Sequence, residues 1–416
     1  RISDYYAVIN NCNYFLKNVN KDLVKNDRRV FESEYAAVKA FRAWTYLQLV
    51  QAYGEVPLVL TPVMTEPEAR QAMNLPRKGM ADICSYFIDD LTPYVNIELP
   101  RFGTINSRDS QLFFYPMRVL LGDLCLWAGR YEEAAAWYHD YLTDTKQPRR
   151  VLSSRSVWPS PTEFTTPRTG YTVTNSSEVF SYIPMEQRVF DGVVSDLDNI
   201  YESTRENNYY FSLTPSSQMR RLSAEQIYCF EYKTATRTDT LFAPRAGFSS
   251  DLYVGDLRLC SNYHLSSTGG QSQYSEYNSE VQSMSKVTSG MVTTCRCTMV
   301  YLRYAEALNR AGLPQSAMVV LKYGPCEENF NTYVDSLELA KAGALVNFEG
   351  TTYNREYAIG VHSRGSGDAQ ANPFYVLPQP AVQLATRQDT VDYQVPLVEN
   401  MIIDEMALEG AFEGYR

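Results

Sequence analysis

FFYPMRVLLGDLCLWAGRYEEAAAWYHDYL, the stretch from Phe113 to Leu142, decides the fold class of this chain. Apolar residues recur every three or four positions on both sides of Gly129, which is the spacing of a buried helix face. The two apolar stripes are Met117, Leu120, Leu121, Leu124 and Trp127, then Tyr131, Ala134, Ala135, Tyr138 and Leu142. The pattern predicts two helices joined at Gly129, with the small residues Gly122 and Ala134 where facing helices approach closely.

The same stretch is similar to the tetratricopeptide repeat, a helix pair that buries its apolar face by stacking on neighbouring pairs. Gly122, Ala134 and Tyr138 match the glycine, alanine and aromatic positions of that pattern, whereas Arg118 stands in place of its tryptophan. A helix hairpin within another kind of helical domain would give the same local pattern. A second copy elsewhere in the chain would favour the repeat.

The second copy runs from Tyr301 to Leu321. Its Gly312, Ala317 and Leu321 have the same mutual spacing as Gly129, Ala134 and Tyr138. Pro314 suits the first turn of a helix, where its missing N–H is no loss. The two copies predict a mainly α fold, built on a tetratricopeptide-like helical repeat scaffold.

The composition is that of a globular protein that is rich in tyrosine. A net charge of -10 argues against nucleic-acid binding, and no basic run opposes this conclusion. No stretch of the sequence approaches the roughly 18 consecutive apolar residues of a membrane-spanning helix. The 32 tyrosines combine a flat apolar face with a polar tip, a combination that suits a wet binding surface.

Residues that carry catalysis or bind metals form no recognisable motif. His139, His264 and His362 lie in separate segments, without the paired spacing of a zinc site. The Gly-x-Ser-x-Gly sequence of a hydrolase nucleophile does not occur. Cys84 and Cys125 lie on apolar helix faces, so we expect buried thiols there. We therefore expect no catalytic residue, no metal and no cofactor, and a protein that is not an enzyme.

Four segments resemble motifs of the SusD/RagB family. Residues 40–59 read AFRAWTYLQLVQAYGEVPLV and resemble the family's helix and exit strand, LRAxxYxxLVxxYGxVPLV. Residues 302–309 (LRYAEALN), 375–380 (YVLPQP) and 404–416 (DEMALEGAFEGYR) are similar to three further motifs. They follow the family's order over nearly the whole chain. The resemblance implies a SusD-like fold with a loop-rich insert and few short β-strands.

We expect one integrated domain with three parts. Residues 1–146 are the N-terminal part of the helical scaffold, and 147–295 are a loop- and aromatic-rich insert with some helices. Residues 296–416 contain the second helix pair, an irregular segment and a C-terminal helix. Because the chain starts at Arg1 and stops at Arg416, each within a predicted helix, we expect further sequence at both ends.

The resemblance also implies a function. SusD/RagB proteins are outer-membrane lipoproteins that bind nutrients at the cell surface during polysaccharide utilisation. They are lipid-anchored through an N-terminal Cys, here expected outside this chain, and they serve a SusC-like TonB-dependent β-barrel transporter. We therefore expect a glycan or oligosaccharide ligand, delivered to such a transporter.

Three alternatives remain open from the sequence. A peptide ligand is one, because the family includes peptide-importing members. A tetratricopeptide-type protein–protein interaction scaffold without a small ligand is the second, and the aromatic loops count against it. An enzyme is the third, and turnover of a bound glycan would identify it.

Aromatic residues set among Ser, Thr, Gly and Asn are the first candidates for ligand contact. A core absorbs rings at helical spacing, whereas rings in long polar loops need another explanation. These candidates are Trp158, Tyr209, Tyr210, Tyr253, Tyr263 and Tyr274. Asn10 and Asn13, with Asn11, form an amide cluster on the first predicted helix, which is either a polar helix face or a second part of the ligand site.

Overall fold

The computed structural model of the chain describes residues 1–105, 108–144, 178–185, 195, 197, 200, 202–203, 215–233, 236, 238–243, 255–266, 272–273, 281–284, 291–350, 353, 358–367 and 372–414. It divides into two compact units. The first comprises Arg1–Tyr141 and Phe180–Tyr182, and the second Leu142–Val179 and Ile183–Arg416. The division into 1–146, 147–295 and 296–416 remains a prediction.

In its described residues, the first unit is helical, with three two-stranded antiparallel sheets. Its helices are α1 (Ile2–Asn18), α2 (Glu32–Tyr53), α3 (Glu66–Met73), α4 (Met80–Leu91), α5 (Met117–Trp127) and α6 (Tyr131–Leu142). Its antiparallel strand pairs are β1 (Val24–Lys25) with β2 (Arg28–Arg29), β3 (Val56–Pro57) with β4 (Arg77–Lys78), and β5 (Thr104–Ile105) with β6 (Arg108–Asp109). Short 3₁₀ turns at Thr92–Tyr94 and Ser110–Phe113 complete it.

The helix pair around Gly129 is confirmed. Gly129 takes a φ of 76°, and the N–H of Arg130 donates to the carbonyl of Cys125 at 2.8 Å, as in a glycine-terminated helix. The Tyr138 ring packs directly on Gly122. A Cβ added to that glycine would lie only 2.6 Å from the ring, so a larger residue does not fit there without a shift. Ala134 is fully buried. The small residues therefore lie where the helices approach most closely.

Both cysteines predicted as buried thiols are buried in this unit. Cys84 and Cys125 are free and fully enclosed. Burial raises the pKa of each thiol to about 12, so both stay protonated at neutral pH.

The second unit combines helices with short strands. Strand β7 (Val179–Ile183) has its two end residues in this unit and Phe180–Tyr182 in the first. The other strands are β8 (Glu202–Ser203), β9 (Tyr228–Lys233), β10 (Thr238–Ala243), β11 (Tyr263–Ser266), β12 (Ser272–Gln273), β13 (Val281–Met284) and β14 (Val292–Arg296). Its helices are α7 (Ser217–Glu225), α8 (Leu257–Asn262), α9 (Cys297–Arg310), α10 (Pro314–Met318), α11 (Glu327–Tyr333), α12 (Ser336–Ala342), α13 (Ser363–Ser366) and α14 (Arg387–Gly410). The prediction of a mainly α chain with few short strands is confirmed.

The second helix pair repeats the turn of the first. Gly312 takes a φ of 77°, and the N–H of Leu313 donates to the carbonyl of Leu308 at 3.0 Å. After α10, however, the helix widens into a π-turn, Val319–Tyr323. The N–H groups of Val361 and His362 donate to the carbonyls of Val320 and Leu321, at 3.3 and 2.9 Å. The segment 360–364, which crosses the π-turn and which we call the crossing segment, thus donates to carbonyls that would accept hydrogen bonds within a continuous α-helix.

Among the described residues, no helix is both long and apolar enough to cross a membrane.

Candidate functional site

Tyr263 is the one aromatic site candidate whose backbone lies within the described residues. It begins β11 and pairs with Met284 of β13, in an antiparallel sheet with the strand order β12-β11-β13-β8. The other five aromatic candidates, Trp158, Tyr209, Tyr210, Tyr253 and Tyr274, lie outside the described residues. The structure therefore neither gathers nor separates the six, and their ligand role stays a prediction.

Asn10 and Asn13 connect α1 to the segment that follows β3. The Asn10 amide donates to the carbonyl of Val63 at 2.9 Å and accepts from the N–H of the same residue at 2.7 Å. Asn13 is 1% exposed, donates to the carbonyl of Val59 at 3.0 Å and accepts from Arg42 Nη1 at 3.0 Å. These contacts give both residues a structural role, and a ligand role for them stays a prediction.

Helix α8 positions the strand that begins at Tyr263, because it ends at Asn262. Asp256 and Arg258, at the start of α8, belong to a buried ionic cluster that we call the charged core. Its members have side chains that are at most 2% exposed, and they are Glu178, Asp256, Arg258, Arg296, His362, Arg364, Glu405, Glu409 and Glu413. Strand β11 therefore follows directly from a helix that is held by buried ion pairs.

Arg258 fastens α8 to the C-terminal helix α14. Its guanidinium pairs with Asp256 at 2.6 Å, with Glu405 at 2.6 Å and with Glu409 at 2.8 Å. Gly365 makes room for this arrangement, because a Cβ there would lie 2.2 Å from Asp256 Oδ1. Three carboxylates around one planar cation give strong, directional charge-assisted hydrogen bonds.

Arg296 extends the charged core to the end of α14 and to the turn that follows it. Its Nη1 lies 2.7 Å from Glu409 Oε1, and its Nε lies 2.6 Å from Glu413 Oε2. Arg364 reaches Glu178 at 3.2 Å. Since β14 ends at Arg296 and α13 contains Arg364, the charged core joins α8, β14, α13 and α14.

The ionisation of Glu405 follows from its neighbours. Burial alone would raise the pKa of its carboxyl, but the charges of Arg258 and His362 lower it below its usual value. His362 Nδ1 lies 2.8 Å from Glu405 Oε2, and the imidazole packs 4.1 Å from the Tyr375 ring. The carboxylate is therefore held in its charged form.

The chemistry of the charged core is that of an anchor. Its carboxylates are enclosed and engaged by arginines, so they are not placed to exchange protons with a ligand in solvent. In the part of the chain that the structure describes, no group of three or more His, Cys, Asp or Glu residues could hold a metal ion. The charged core therefore fixes α8, which leads into β11, rather than contacting a ligand.

Sequence reasoning missed most of the charged core. Glu405, Glu409 and Glu413 recur every four residues, which is the spacing of one helix face, although α14 ends at Gly410 and Glu413 lies in the turn that follows. This spacing within the last family motif was the available signal. Arg258 and His362 come from segments more than 100 residues apart, and nothing local distinguishes them from surface residues.

No family model and no curated protein matches the chain. Solved structures from Bacteroides do match it. A SusD-like carbohydrate-binding protein from Bacteroides fragilis aligns over 99% of this chain and 70% of its own, with 16% identity and a TM-score of 0.53. A SusD superfamily protein from Bacteroides thetaiotaomicron aligns over 99% and 74%, with 15% identity and a TM-score of 0.55.

A further SusD-like carbohydrate-binding protein, from Bacteroides vulgatus, aligns over 99% of this chain and 66% of its own, with 15% identity and a TM-score of 0.51. Sequence identities this low establish the fold alone. The chain therefore has the SusD-like fold, which the four sequence motifs predicted.

Proposed function

We propose that this chain is a cell-surface carbohydrate-binding protein that delivers an oligosaccharide to an outer-membrane transporter. The observation that carries the proposal is the alignment of 99% of the chain with SusD-like proteins, two of which are described as carbohydrate-binding. The abundance of tyrosine supports it, because rings with polar tips stack on sugar faces and hydrogen-bond to hydroxyls through water.

The charged core supports the same function through rigidity. A binding surface loses less conformational entropy when its loops are already ordered. Arg258 and Asp256 tie the start of α8 to α14, and α8 leads directly into β11 with Tyr263. Such an anchor fits a protein that binds a sugar on loops without moving them far.

A glycan array tests the binding function. The purified chain is labelled and applied to plant, microbial and host glycans beside a panel of immobilised peptides. We expect a defined glycan family to bind and the bound glycan to be recovered at its original length. Binding to peptides alone would replace the carbohydrate by a peptide ligand, and shortening of the glycan would make the protein an enzyme.

The transporter belongs to the same proposal. The family motifs lie mainly on helices, which give the chain an ordered surface for a partner that moves the ligand across a membrane. We expect a SusC-like TonB-dependent β-barrel as that partner, and lipid attachment through an N-terminal Cys outside this chain. Affinity capture from detergent-solubilised outer membranes should recover the barrel. Its absence from the captured fraction, with the barrel present in the input, would remove this part of the proposal.

A further inference from the structure

Two tyrosines stack face to face beside the π-turn of the second unit. The ring centroids of Tyr323 and Tyr333 are 3.6 Å apart, and the ring planes differ by 4°. Aromatic pairs usually prefer offset or edge-to-face arrangements, because the negative faces of two parallel rings repel each other. Both side chains are half-buried, so solvent still reaches the pair. The surrounding structure must hold these rings parallel.

The backbone on both sides of the pair is fixed by hydrogen bonds. Tyr323 ends the π-turn, and Tyr333 is the last residue of α11. The Asn329 side chain in α11 donates to the carbonyls of Tyr323 and Gly324, at 3.0 and 2.9 Å. It therefore locks the helix that carries one ring to the turn that carries the other.

The crossing segment holds the π-turn from the opposite direction. Gly324 takes a φ of 85°, and a Cβ there would lie 2.4 Å from the backbone nitrogen of Ile359. Gly360 lies as close to Lys322, because its Cβ would be 2.3 Å from the Lys322 carbonyl carbon. Because both segments carry a glycine at the contact, their backbones touch directly and the turn has little room to move. Such π-turns occur frequently at functional sites.

Within the described part of the chain, the only aromatic ring packed on Tyr333 is that of Tyr323. Tyr333 covers one face of Tyr323, and the Lys322 ammonium lies over the Tyr323 ring at 5.4 Å from its centroid. Lys322 itself is buried and donates to the carbonyls of Asn372 and Tyr375, at 2.8 and 2.6 Å. Tyr333 is partly exposed, so a ligand in solvent can reach its ring. Its neighbours Asn331 and Thr332 are exposed polar residues.

We propose that Tyr333, backed by Tyr323, is a stacking platform for one sugar ring of a glycan, separate from the aromatic residues of the insert. The inference rests on the proposed carbohydrate-binding function. A sugar presents a flat face of C–H groups to an aromatic ring, and the hydroxyl at the tip of the tyrosine suits the sugar hydroxyls. Because Tyr323 already restricts the Tyr333 side chain, less rotamer entropy is lost on binding.

The test compares Tyr333→Ala with the wild-type chain on the same glycan array, followed by affinity measurement for the bound glycan. We expect the dissociation constant to rise at least about tenfold, as for a ring that contacts its ligand directly. Tyr333→Phe should retain most of the affinity, because it keeps the ring. Tyr333→Leu keeps an apolar contact with Tyr323 and serves if the alanine variant fails to fold.

Tyr393→Ala is the matched control. Tyr393 lies on α14 and is 40% exposed, so its loss removes a comparable surface ring. Nitration of Tyr333 in the wild type, with and without the bound glycan, gives a readout that a purely structural role would not change. We expect protection by the glycan.

The outcomes separate the two proposals. Equal glycan binding by Tyr333→Ala and the wild type, with unprotected Tyr333, overturns the platform and leaves the carbohydrate function intact. Binding of no glycan by the wild type overturns the proposed function, and the platform falls with it. Retained affinity with a lowered melting temperature would make the pair a support for α11 only.

Discussion

The two helix pairs share a turn and differ in the helix after it. In the first pair, α6 keeps α-helical geometry from Tyr131 to Leu142. In the second, α10 ends at Met318 and gives way to the π-turn. Both pairs use a glycine at a φ near 76–77° to join the helices. The turn is therefore encoded locally, whereas the course of the second helix is not.

The support for the two second helices differs accordingly. Tyr138 of α6 packs on Gly122 and donates to Asp123 at 2.6 Å, both within its own helix pair. The start of α10 instead depends on Glu338 of α12, which accepts from the N–H of Ser316 at 2.7 Å. The segment 360–364 crosses the π-turn and also supplies His362 and Arg364 to the charged core.

This difference shows how one repeat pattern yields two structures. A helix pair that packs internally keeps the geometry that its spacing predicts. A pair that exchanges hydrogen bonds with a distant segment is reshaped at the point of contact. Function in the second unit should therefore depend on long-range contacts that the first pair does not need.

The largest expected effect comes from breaking the charged core at Arg258. Arg258→Met leaves Asp256, Glu405 and Glu409 without the cation between them, and a broken buried ion pair costs about 3–5 kcal/mol. Urea unfolding measures the free energy of unfolding. Arg387→Met is the matched control, because Arg387 pairs with Asp335 at the surface, where such pairs contribute at most about 1 kcal/mol. Equal losses in the two variants would contradict an essential charged core.

Gly360→Ala tests the close contact between the crossing segment and the π-turn. The new Cβ would lie 2.3 Å from the Lys322 carbonyl, and a backbone neighbour cannot rotate away. We expect a loss of about 3 kcal/mol in the free energy of unfolding, at the upper end of overpacking costs. Unfolding curves that superimpose on the wild type would show that the segment does not cross the turn this closely.

Gly122→Ala tests the internal packing of the first pair. Alanine favours a helix by about 1 kcal/mol over glycine, yet its Cβ would meet the Tyr138 ring at 2.6 Å. We expect a net loss of about 1–2 kcal/mol, because the overpacking cost exceeds the gain in propensity. The second pair has Ala305 and Leu321 at these two positions.

The double variant Gly122→Ala/Tyr138→Leu therefore copies the second pair. It should lose less stability than the sum of its single variants. Additive losses would mean that residues 122 and 138 are not coupled, against the close packing of the first pair.

The smallest effect concerns Asp335, which supports α10 from outside. Burial alone would raise the pKa of Asp335, but hydrogen bonds from Arg387, the Glu338 N–H and Gln315 lower it to about 2. A lowered carboxyl pKa stabilises the fold above the ordinary value of 3.8, and this contribution is lost as the pH falls towards 2. Between these values the melting temperature of the wild type should fall more steeply than that of Asp335→Asn. Parallel curves would show that Asp335 contributes nothing.

Local periodicity made the helices of this fold predictable. The end of α2 at Tyr53 follows from local chemistry, because Gly54 and the following Pro57 stop a helix. The π-turn could not be predicted, since the N–H groups that donate to its carbonyls belong to Val361 and His362, about 40 residues further along the chain. The charged core could not be predicted either, because its members come from distant segments. Only the four-residue spacing of Glu405, Glu409 and Glu413 is visible in the sequence.

The ligand site was less accessible to prediction than the fold. Rings such as Trp158 lie in polar segments without periodicity, so sequence spacing gives no indication of which of them share a surface. Tyr323 and Tyr333 lie in a stretch with fewer aromatic residues, so the composition does not single them out. Their parallel arrangement depends on the π-turn and on Asn329, neither of which the sequence pattern reveals.

The central claim is that aromatic side chains outside the helical scaffold bind a glycan. Its most direct test is calorimetric titration of the array-selected glycan into the wild type, Trp158→Ala and Trp127→Ala, with the melting temperature of each protein measured alongside. Trp127 ends α5 and is 45% exposed, which makes it a scaffold control. The account predicts that Trp158→Ala loses roughly thirtyfold in affinity at an unchanged melting temperature, while Trp127→Ala binds like the wild type. Loss of affinity only together with loss of stability in Trp158→Ala, or equal affinity in all three proteins, would contradict it.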